Sequence, residues 1–347
     1  MHNIITIEEA EQLSQPIYID MRSPAEFSIG HILDAINIPI FSNEERAEVG
    51  TLYKNVSAEK AKDLGLSIAS RKLPNFVTEI RNLSKFGRPI VVYCWRGGMR
   101  SKSIACVLDL MGIKVSQLIG GYQAYRRHVL DRLLTFKINP KIIVLCGSTG
   151  VGKTSLLKLL AGKNIPIIDL EKLANHRGSV FGQIGLGKAT TAQLFDSLLL
   201  RELDTLNNQP YIIVECESKR IGNIYLPDCL CQGMGKGIQI LVVTDIETRI
   251  SRLINEYPHV DKTNTNEIIT SLKSLTKRLS VKKINKLLAD LDSGEIGSVV
   301  HTLLVDYYDP LYGYDKLDQN IYSLIVNCDD LDLASLQIIN YLEELRG

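Results

Sequence analysis

The sequence predicts an α/β protein of two successive domains, the second extended by a helical C-terminal part. Three observations lead there. Short apolar runs of strand character alternate with helical segments, and the alternation occurs twice; a polar, proline-bearing stretch separates the two series; and each series contains one strand that runs into a glycine-bearing turn and then a helix. With 347 residues, 45% of them apolar and 23% charged, the chain has material for two ordinary cores.

In the first series the strands read as "PIYID", "AINIPI", "PIVVYC" and "VSQLI". Helical segments between them imply a parallel sheet, because parallel neighbours need a crossover. The stretch "TFKINPK" is the domain boundary, which puts one domain at 1–137, the other at 141–347 and the join near Asn139. The second series reads "KIIVLC", "IPIID", "YIIVEC" and "IQILVV". After Asp245 the pattern becomes helical, and "ETRISRLINEY" and "EIITSLKSLTKRLSVKKINKLLADL" place apolar residues at helix spacing.

A formal charge of +1 excludes a global attraction to nucleic acid, so such a partner must be met by a local patch. One exists: Lys273, Lys277, Arg278, Lys282, Lys283 and Lys286 accompany an apolar stripe of Leu272, Leu275, Leu279, Leu287 and Leu291. A helix of that kind packs one face and offers the other to RNA phosphates or to water. Of the seven cysteines only Cys229 and Cys231 are close neighbours, so neither a disulfide framework nor a paired zinc motif is expected, and no metal ligand set is assigned. The N-terminal "MHNIITIEEAEQL" lacks a basic start followed by an apolar core, and no apolar run approaches the roughly 20 residues of a membrane span. A cytoplasmic protein with no membrane partner is expected.

Chemistry concentrates at two turns. In "IVVYCWRGGMRSKS" a strand delivers Cys94 to a loop of Trp95, Arg96, Gly97, Gly98 and Met99, and a helix opens at Arg100. Backbone N–H groups at a helix start favour a thiolate, the glycines let the backbone curl around it, and Arg96 and Arg100 add positive charge. Such a loop holds an anion at the sulfur. Cysteine phosphatases (C-x5-R) and rhodaneses both use this layout. Tyr93 stands where tyrosine phosphatases usually have His, and "IDMRSPAEFSIGHILDAINIP" resembles the rhodanese signature, with Asp20 and Arg22 as braces.

The second turn, "KIIVLCGSTGVGKTS", satisfies G-x-x-x-x-G-K-[ST] between a strand and a helix. Gly147, Gly150, Gly152, Lys153, Thr154 and Ser155 would bind phosphates, and Thr154 a Mg2+ ion if one accompanies the ligand. The loop asks for a diphosphate; ATP, GTP and a prenyl diphosphate all suit it. Glu215 and Glu217, at a strand end, are candidates to reach the metal or its water. Asp169, Glu171, His176, Arg177 and Ser179 crowd "DLEKLANHRGSVFGQIG" and suggest a substrate wall beside the phosphates. Arg249 and Arg252, in "ILVVTDIETRISRL", read as phosphate-facing or as solvated helix positions.

Together, "YCWRGGMRS", "GSTGVGKT", "DLEKLANHRGSVFG", "VECESKRIGNIYLP" and "YYDPLYGYD" resemble the tRNA 2-selenouridine synthase family over nearly the full length. The family more often has His where this chain has Tyr307. The resemblance implies an N-terminal rhodanese-like α/β domain followed by a P-loop NTPase- or kinase-like parallel-sheet α/β domain. It implies an enzyme that acts on tRNA carrying wobble 2-thiouridine and replaces its sulfur with selenium from selenophosphate. It also implies geranyl diphosphate as a substrate, an S-geranyl-2-thiouridine intermediate, and no tightly bound cofactor. In that scheme the P-loop, with Lys153, Thr154 and Arg177, binds geranyl diphosphate, while Cys94 serves the selenium step, either as a perselenide or by positioning selenophosphate. The alternatives are a rhodanese-type tRNA sulfurtransferase, a cysteine phosphatase fused to a P-loop kinase, and a nucleotide-switched RNA-binding module.

Overall fold

The computed structural model describes residues 2–257, 262–313 and 319–345. By its contacts the chain divides into two units, Met1–Leu134 with Asp196–Leu200, and Thr135–Phe195 with Arg201–Gly347.

The first unit runs β1 (Asn3–Ile5), α1 (Ile7–Glu11), β2 (Ile17–Asp20), α2 (Pro24–Ile29), β3 (Ile36–Asn37), α3 (Asn43–Asn55), α4 (Ala58–Ser84), β4 (Ile90–Tyr93), α5 (Met99–Leu110), β5 (Ser116–Leu118) and α6 (Gly121–Thr135). Its five strands lie in the order β1-β5-β4-β2-β3, all parallel, so Cys94 leaves the central strand. The short strand β1 was not predicted, because three residues are too few for a periodicity to register. Capping boxes start three helices: Thr6 with Glu9, Ser23 with Glu26, and Ser42 with Glu45. Ile19, Met21, Ile40, Ile80, Val92, Ile104 and Leu108 fill the core on one side of the sheet.

Asp20 and Arg22 brace the centre of this unit. Both are buried, at 0% and 1% exposure. Arg22 grips Asp20 through Nε and Nη2 and donates to the Gly30 carbonyl at 2.6 Å. Its guanidinium also lies 4.0 Å from the centre of the Tyr122 ring and 5.8 Å from that of Trp95. Asn37 donates to the carbonyls of both residues at 2.9 Å. The spaced signature thus encodes one buried charge network beneath the cysteine loop.

The second unit runs β6 (Lys141–Cys146), α7 (Lys153–Gly162), β7 (Ile167–Ile168), α8 (Leu170–Ala174), α9 (Ala192–Leu206), β8 (Tyr211–Glu215), β9 (Arg220–Ile221), β10 (Ile224–Tyr225), α10 (Asp228–Lys236) and β11 (Ile238–Val243). It continues with α11 (Ile246–Glu256), α12 (Lys262–Ser274), α13 (Val281–Asp292), α14 (Ile296–Leu303), α15 (Asp309–Tyr312), β12 (Leu324–Asn327) and α16 (Leu331–Glu344). The main sheet is parallel in the order β12-β11-β6-β8-β7, with the phosphate-loop strand β6 at its centre. Neither β12 nor the β9–β10 hairpin was expected; with four and two residues per strand, both are too short for a periodicity to register.

The long basic segment is not one helix. A 3-10 turn at Leu275–Lys277 separates α12 from α13, and Ser280 caps α13 by accepting from the Lys283 N–H at 3.3 Å. All five leucines of its predicted stripe are buried, in a helical core shared with Val299, Leu303, Leu304, Tyr307 and Tyr308. The last two residues of "YYDPLYGYD", Tyr314 and Asp315, lie outside the described residues.

Removal of Arg22 leaves the Asp20 carboxylate buried without a counter-ion, so Arg22→Ala is expected to destabilise the first unit by about 3–5 kcal/mol. Chemical denaturation followed by the emission of Trp95, the single tryptophan, measures this; an unchanged midpoint refutes the bracing role.

Candidate active site

At the first turn the chain leaves β4 after Tyr93, passes Cys94 and re-enters a helix at Met99, one residue before the expected start. The loop is held from below by α6, whose first N–H groups donate to it: Tyr122 N–H to the Cys94 carbonyl at 2.9 Å and Gln123 N–H to that of Trp95 at 3.0 Å. Two glycines permit this approach. At Gly97, with φ of +63°, a Cβ would sit 2.5 Å from the Leu118 carbonyl oxygen, and at Gly121 one would sit 2.1 Å from the Cys94 carbonyl oxygen.

Cys94 is 3% exposed, with its sulfur 3.3 Å from the Ser101 hydroxyl. The residue lines a cavity of about 410 Å³ together with Arg46, Trp95, Arg96, Gly98, Met99 and Arg100. Arg100 lines the cavity and is itself paired. Its guanidinium makes a two-pronged pair with Glu26, at 2.8 and 3.3 Å, and Arg46 reaches the same carboxylate at 3.6 Å. Burial acts to raise the Glu26 carboxyl, but the hydrogen bonds and charge of Arg100 overcome this and hold it below its usual range. Three guanidiniums, of Arg46, Arg96 and Arg100, against one carboxylate leave a surplus of two positive charges (3 − 1), which suits a small anion. Sequence reasoning missed Arg46, which enters from α3 and has no fixed spacing to the loop.

The second turn wraps into a phosphate cradle. Gly147, Gly150 and Gly152 all have positive φ, and Gly152 caps α7 in the left-handed region. Lys153 folds its ammonium onto the loop, donating to the carbonyls of Gly147 at 2.7 Å and Ser148 at 3.2 Å. The loop is pinned from α11. Arg249 donates to the Thr149 carbonyl at 2.9 Å and pairs with both oxygens of Asp309, and Arg252 donates to the Val151 carbonyl at 2.8 Å. Arg249 is therefore a buried strut, and Asp309 of the late motif is its counter-ion.

A cavity of about 400 Å³ opens over the cradle, lined among others by Gly150, Gly152, Lys153, Thr154, Ser155, Arg177, Ser179, Glu215 and Glu217. Glu171 also lines it, and carboxylate oxygens of Glu171, Glu215 and Glu217 lie within 4.8 Å of one another. The Thr154 hydroxyl lies 3.1 Å from Glu171 and 3.4 Å from Glu215. Burial, and then mutual repulsion, push Glu217 up to about 8, while burial raises Glu171 to about 7 against the pull of Lys153 and drives Glu215 well above its usual range. The donor set is all oxygen and its charges are mutually repulsive, so it fits Mg2+, which these residues and Thr154 would hold and which would supply positive charge to phosphate oxygens bound in the cradle.

Two residues of the expected substrate wall do not line this cavity. Asp169 caps α8, accepting from the Lys172 N–H at 2.8 Å. His176 accepts from the Gly178 N–H at 3.1 Å and is flanked closely by Gly182 and Gly222. Both shape the loop instead, since a strand-end acid and a semi-buried imidazole satisfy local N–H groups first. Arg177 does reach the cavity, held by Glu256 at 2.8 Å and by the Tyr257 ring at 4.6 Å.

A second cavity of about 550 Å³ shares Thr149, Ser179, Leu253, Asn255 and Tyr257 with the first and is otherwise apolar, with Phe181, Ile184, Leu291, Val299, Leu303 and Leu304 among its walls. No sequence signal marked it. Its walls come from separate helices and read only as core positions.

A cysteine loop with an anion pocket on one parallel α/β unit and a phosphate cradle on another define a protein that couples a rhodanese-like domain to a P-loop domain. A rhodanese-like domain model matches residues 6–128, and one for the tRNA 2-selenouridine synthase AAA domain matches residues 140–332. The chain is 30% identical to the tRNA 2-selenouridine synthase of Bdellovibrio bacteriovorus over 333 residues, covering 85% of this chain and 87% of that protein. The synthases of Nitrosomonas eutropha (over 341 residues) and Psychromonas ingrahamii (over 321 residues) are each 29% identical with the same coverage. The chain belongs to the tRNA 2-selenouridine synthase family.

In the metal-free protein, Glu171 and Glu217 bind protons more tightly folded than unfolded. Their contribution to stability is present below the ordinary value of 4.5 and is lost as pH rises through about 7 to about 8. Mg2+ binds the ionised form, so it should raise Tm more at about pH 9 than at about pH 6, and Glu217→Gln should raise the metal-free Tm at the higher pH. Melting curves with and without Mg2+ test this; equal shifts at both pH values count against the site.

Proposed function

We propose that this protein converts wobble 2-thiouridine of tRNA to 2-selenouridine in two steps, with geranyl diphosphate and selenophosphate as co-substrates. The observation that carries the reading is the apolar cavity continuous with the phosphate cradle. A nucleotide base calls for polar groups along its edges, whereas this cavity offers few and suits an isoprenoid chain whose diphosphate lies on Gly150, Gly152, Lys153 and Thr154. Its volume of about 550 Å³ falls within the range of roughly 300–1,000 Å³ usual for small-molecule sites.

In the first step the base sulfur bonds to C1 of the geranyl chain, the C1–O bond breaks, and pyrophosphate leaves with the electron pair. The N3 proton of the base is released to a base or to water. Lys153, once turned from the loop carbonyls to the ligand, and the cradle amides stabilise the charge that grows on the leaving group. C2 then carries an S-alkyl group that can depart as a thiolate, which a thiocarbonyl sulfur does poorly.

In the second step selenium of selenophosphate bonds to C2, and the C2–S bond breaks. Geranylthiolate leaves with its electron pair and takes a proton. Water cleaves the selenium–phosphorus bond, releasing phosphate and leaving the selenocarbonyl. No oxidant or reductant is needed. A perselenide on Cys94 would hold selenium at a higher oxidation level than selenophosphate does, and so would call for an oxidant. Electron balance therefore favours Cys94 and the cluster of Arg46, Arg96 and Arg100 as the holder of the intact donor. The exposed Lys273, Lys277, Lys282 and Lys286 offer contacts to tRNA phosphates.

Cys94→Ala is expected to abolish selenation while geranylation persists, and Lys153→Ala to slow geranylation by about a hundredfold. Mass spectrometry of nucleosides from 2-thiouridine tRNA, incubated with each co-substrate separately and together, reads both. Loss of both activities in Cys94→Ala, or wild-type geranyl transfer in Lys153→Ala, refutes the division of labour.

A further inference from the structure

The rhodanese-like unit has its own apolar groove, which the cysteine chemistry alone does not require. It lies among α3, α4 and α5 and has a volume of about 590 Å³. Val49, Leu66, Leu73 and Val107 form its sides, and Arg46, Met99 and Arg100 line both this groove and the Cys94 cavity. The groove is thus continuous with the sulfur's pocket. Several of its apolar groups face solvent, among them Leu66 at 69% and Met99 at 64% exposure.

Two glycines inside its helices point the same way. Gly50 in α3 and Gly65 in α4 sit at interior helix positions, where glycine costs about 0.5–1 kcal/mol relative to alanine. Neither has a positive φ to excuse it. A Cβ on Gly65 would meet only the tip of the Phe41 ring, at 3.4 Å, so the backbone tolerates a side chain there, and glycine keeps the groove open. At Gly50 a Cβ would sit 2.6 Å from the Arg46 guanidinium, so glycine lets that arginine lie across the junction of groove and pocket. At both positions helix stability has been given up along the groove.

We propose that this groove binds the isoprenoid chain of the S-alkylated base while its sulfur is replaced by selenium. The inference rests on the two-step reading above and adds a second chain-binding site, separate from the one beside the phosphate cradle. The chemistry calls for it. Once geranylated, the base brings an apolar chain to the cysteine pocket, and leaving that chain in water would forgo about 0.8 kcal/mol for each methylene that a groove could bury. The arginine-lined junction orients the anionic selenium donor beside C2, and the chain, seated in the groove, is released with the departing thiol.

The test uses the full-length protein and two RNAs, one bearing S-geranyl-2-thiouridine and one S-methyl-2-thiouridine, each with selenophosphate. The wild type is expected to prefer the geranyl substrate in kcat/KM, and Gly65→Leu and Ala69→Phe, which fill the groove, to lower the geranyl-to-methyl ratio about tenfold or more. Hydrogen exchange on the wild-type protein gives a second readout that needs no variant. Amides of α3 and α4 should slow more with the geranyl RNA than with the methyl RNA. An unchanged ratio in the variants, or extra protection confined to α13 and α14, overturns the groove while leaving the two-step reading intact. If the wild type converts no S-geranyl RNA at all, the two-step reading falls and the groove's role with it.

Discussion

The unsatisfied N–H groups at the start of a helix, delivered by a buried parallel strand, are the constraint on which both halves of this molecule depend. In each unit the central strand emerges into a glycine-bearing loop that leads into a helix N-terminus, where unpaired N–H groups and the helix dipole favour an anion. Only glycine can hold the backbone in that curl, because side chains at Gly97 or Gly147 would strike backbone atoms at 2.5 and 2.4 Å. Everything else at the two sites adapts that shared device. One loop is given a thiol and surrounding guanidiniums; the other is given an ammonium, a hydroxyl and three carboxylates.

The two sites solve the charge problem in opposite ways. Around Cys94, Glu26 offsets only part of three arginine charges, which leaves the pocket ready for an anion. Over the cradle, three crowded carboxylates face one lysine, and their proton affinities are raised first by burial and then by neighbouring carboxylates. Both clusters are fixed by struts out of sight of the ligand. Arg22 on Asp20 supports the cysteine loop from beneath, and Arg249 on Asp309 supports the phosphate loop from α11. Loss of a strut would loosen a site without touching the reacting atoms.

Each polar site opens into an apolar space of similar size, about 590 Å³ in one unit and about 550 Å³ in the other. Under the proposed two-step reading, that pairing would give an alkylated intermediate a place for its chain in each unit. A sulfurtransferase or phosphatase would need the cysteine loop but no adjoining groove, and a kinase would need the cradle but no chain-length pocket.

Both loops were legible in the sequence, because their spacing is set by local backbone geometry: Cys94 to Arg100 spans one turn, and Gly147 to Thr154 another. The two parallel sheets were legible as well, since buried strands read as continuous apolar runs. The leucine stripe of α12 and α13 was visible, though the break at Ser280 was not, because one cap residue does not disturb the spacing on either side. The rest depended on tertiary structure. Arg46, Glu26 and Asp309 join their sites from distant elements, His176 and Asp169 turn out to serve the loop they sit on, and both apolar cavities are bounded by residues that each look like ordinary core. A sequence determines what lies within one turn of the backbone; which charges meet, and which apolar faces stay apart, is decided only when separate helices pack.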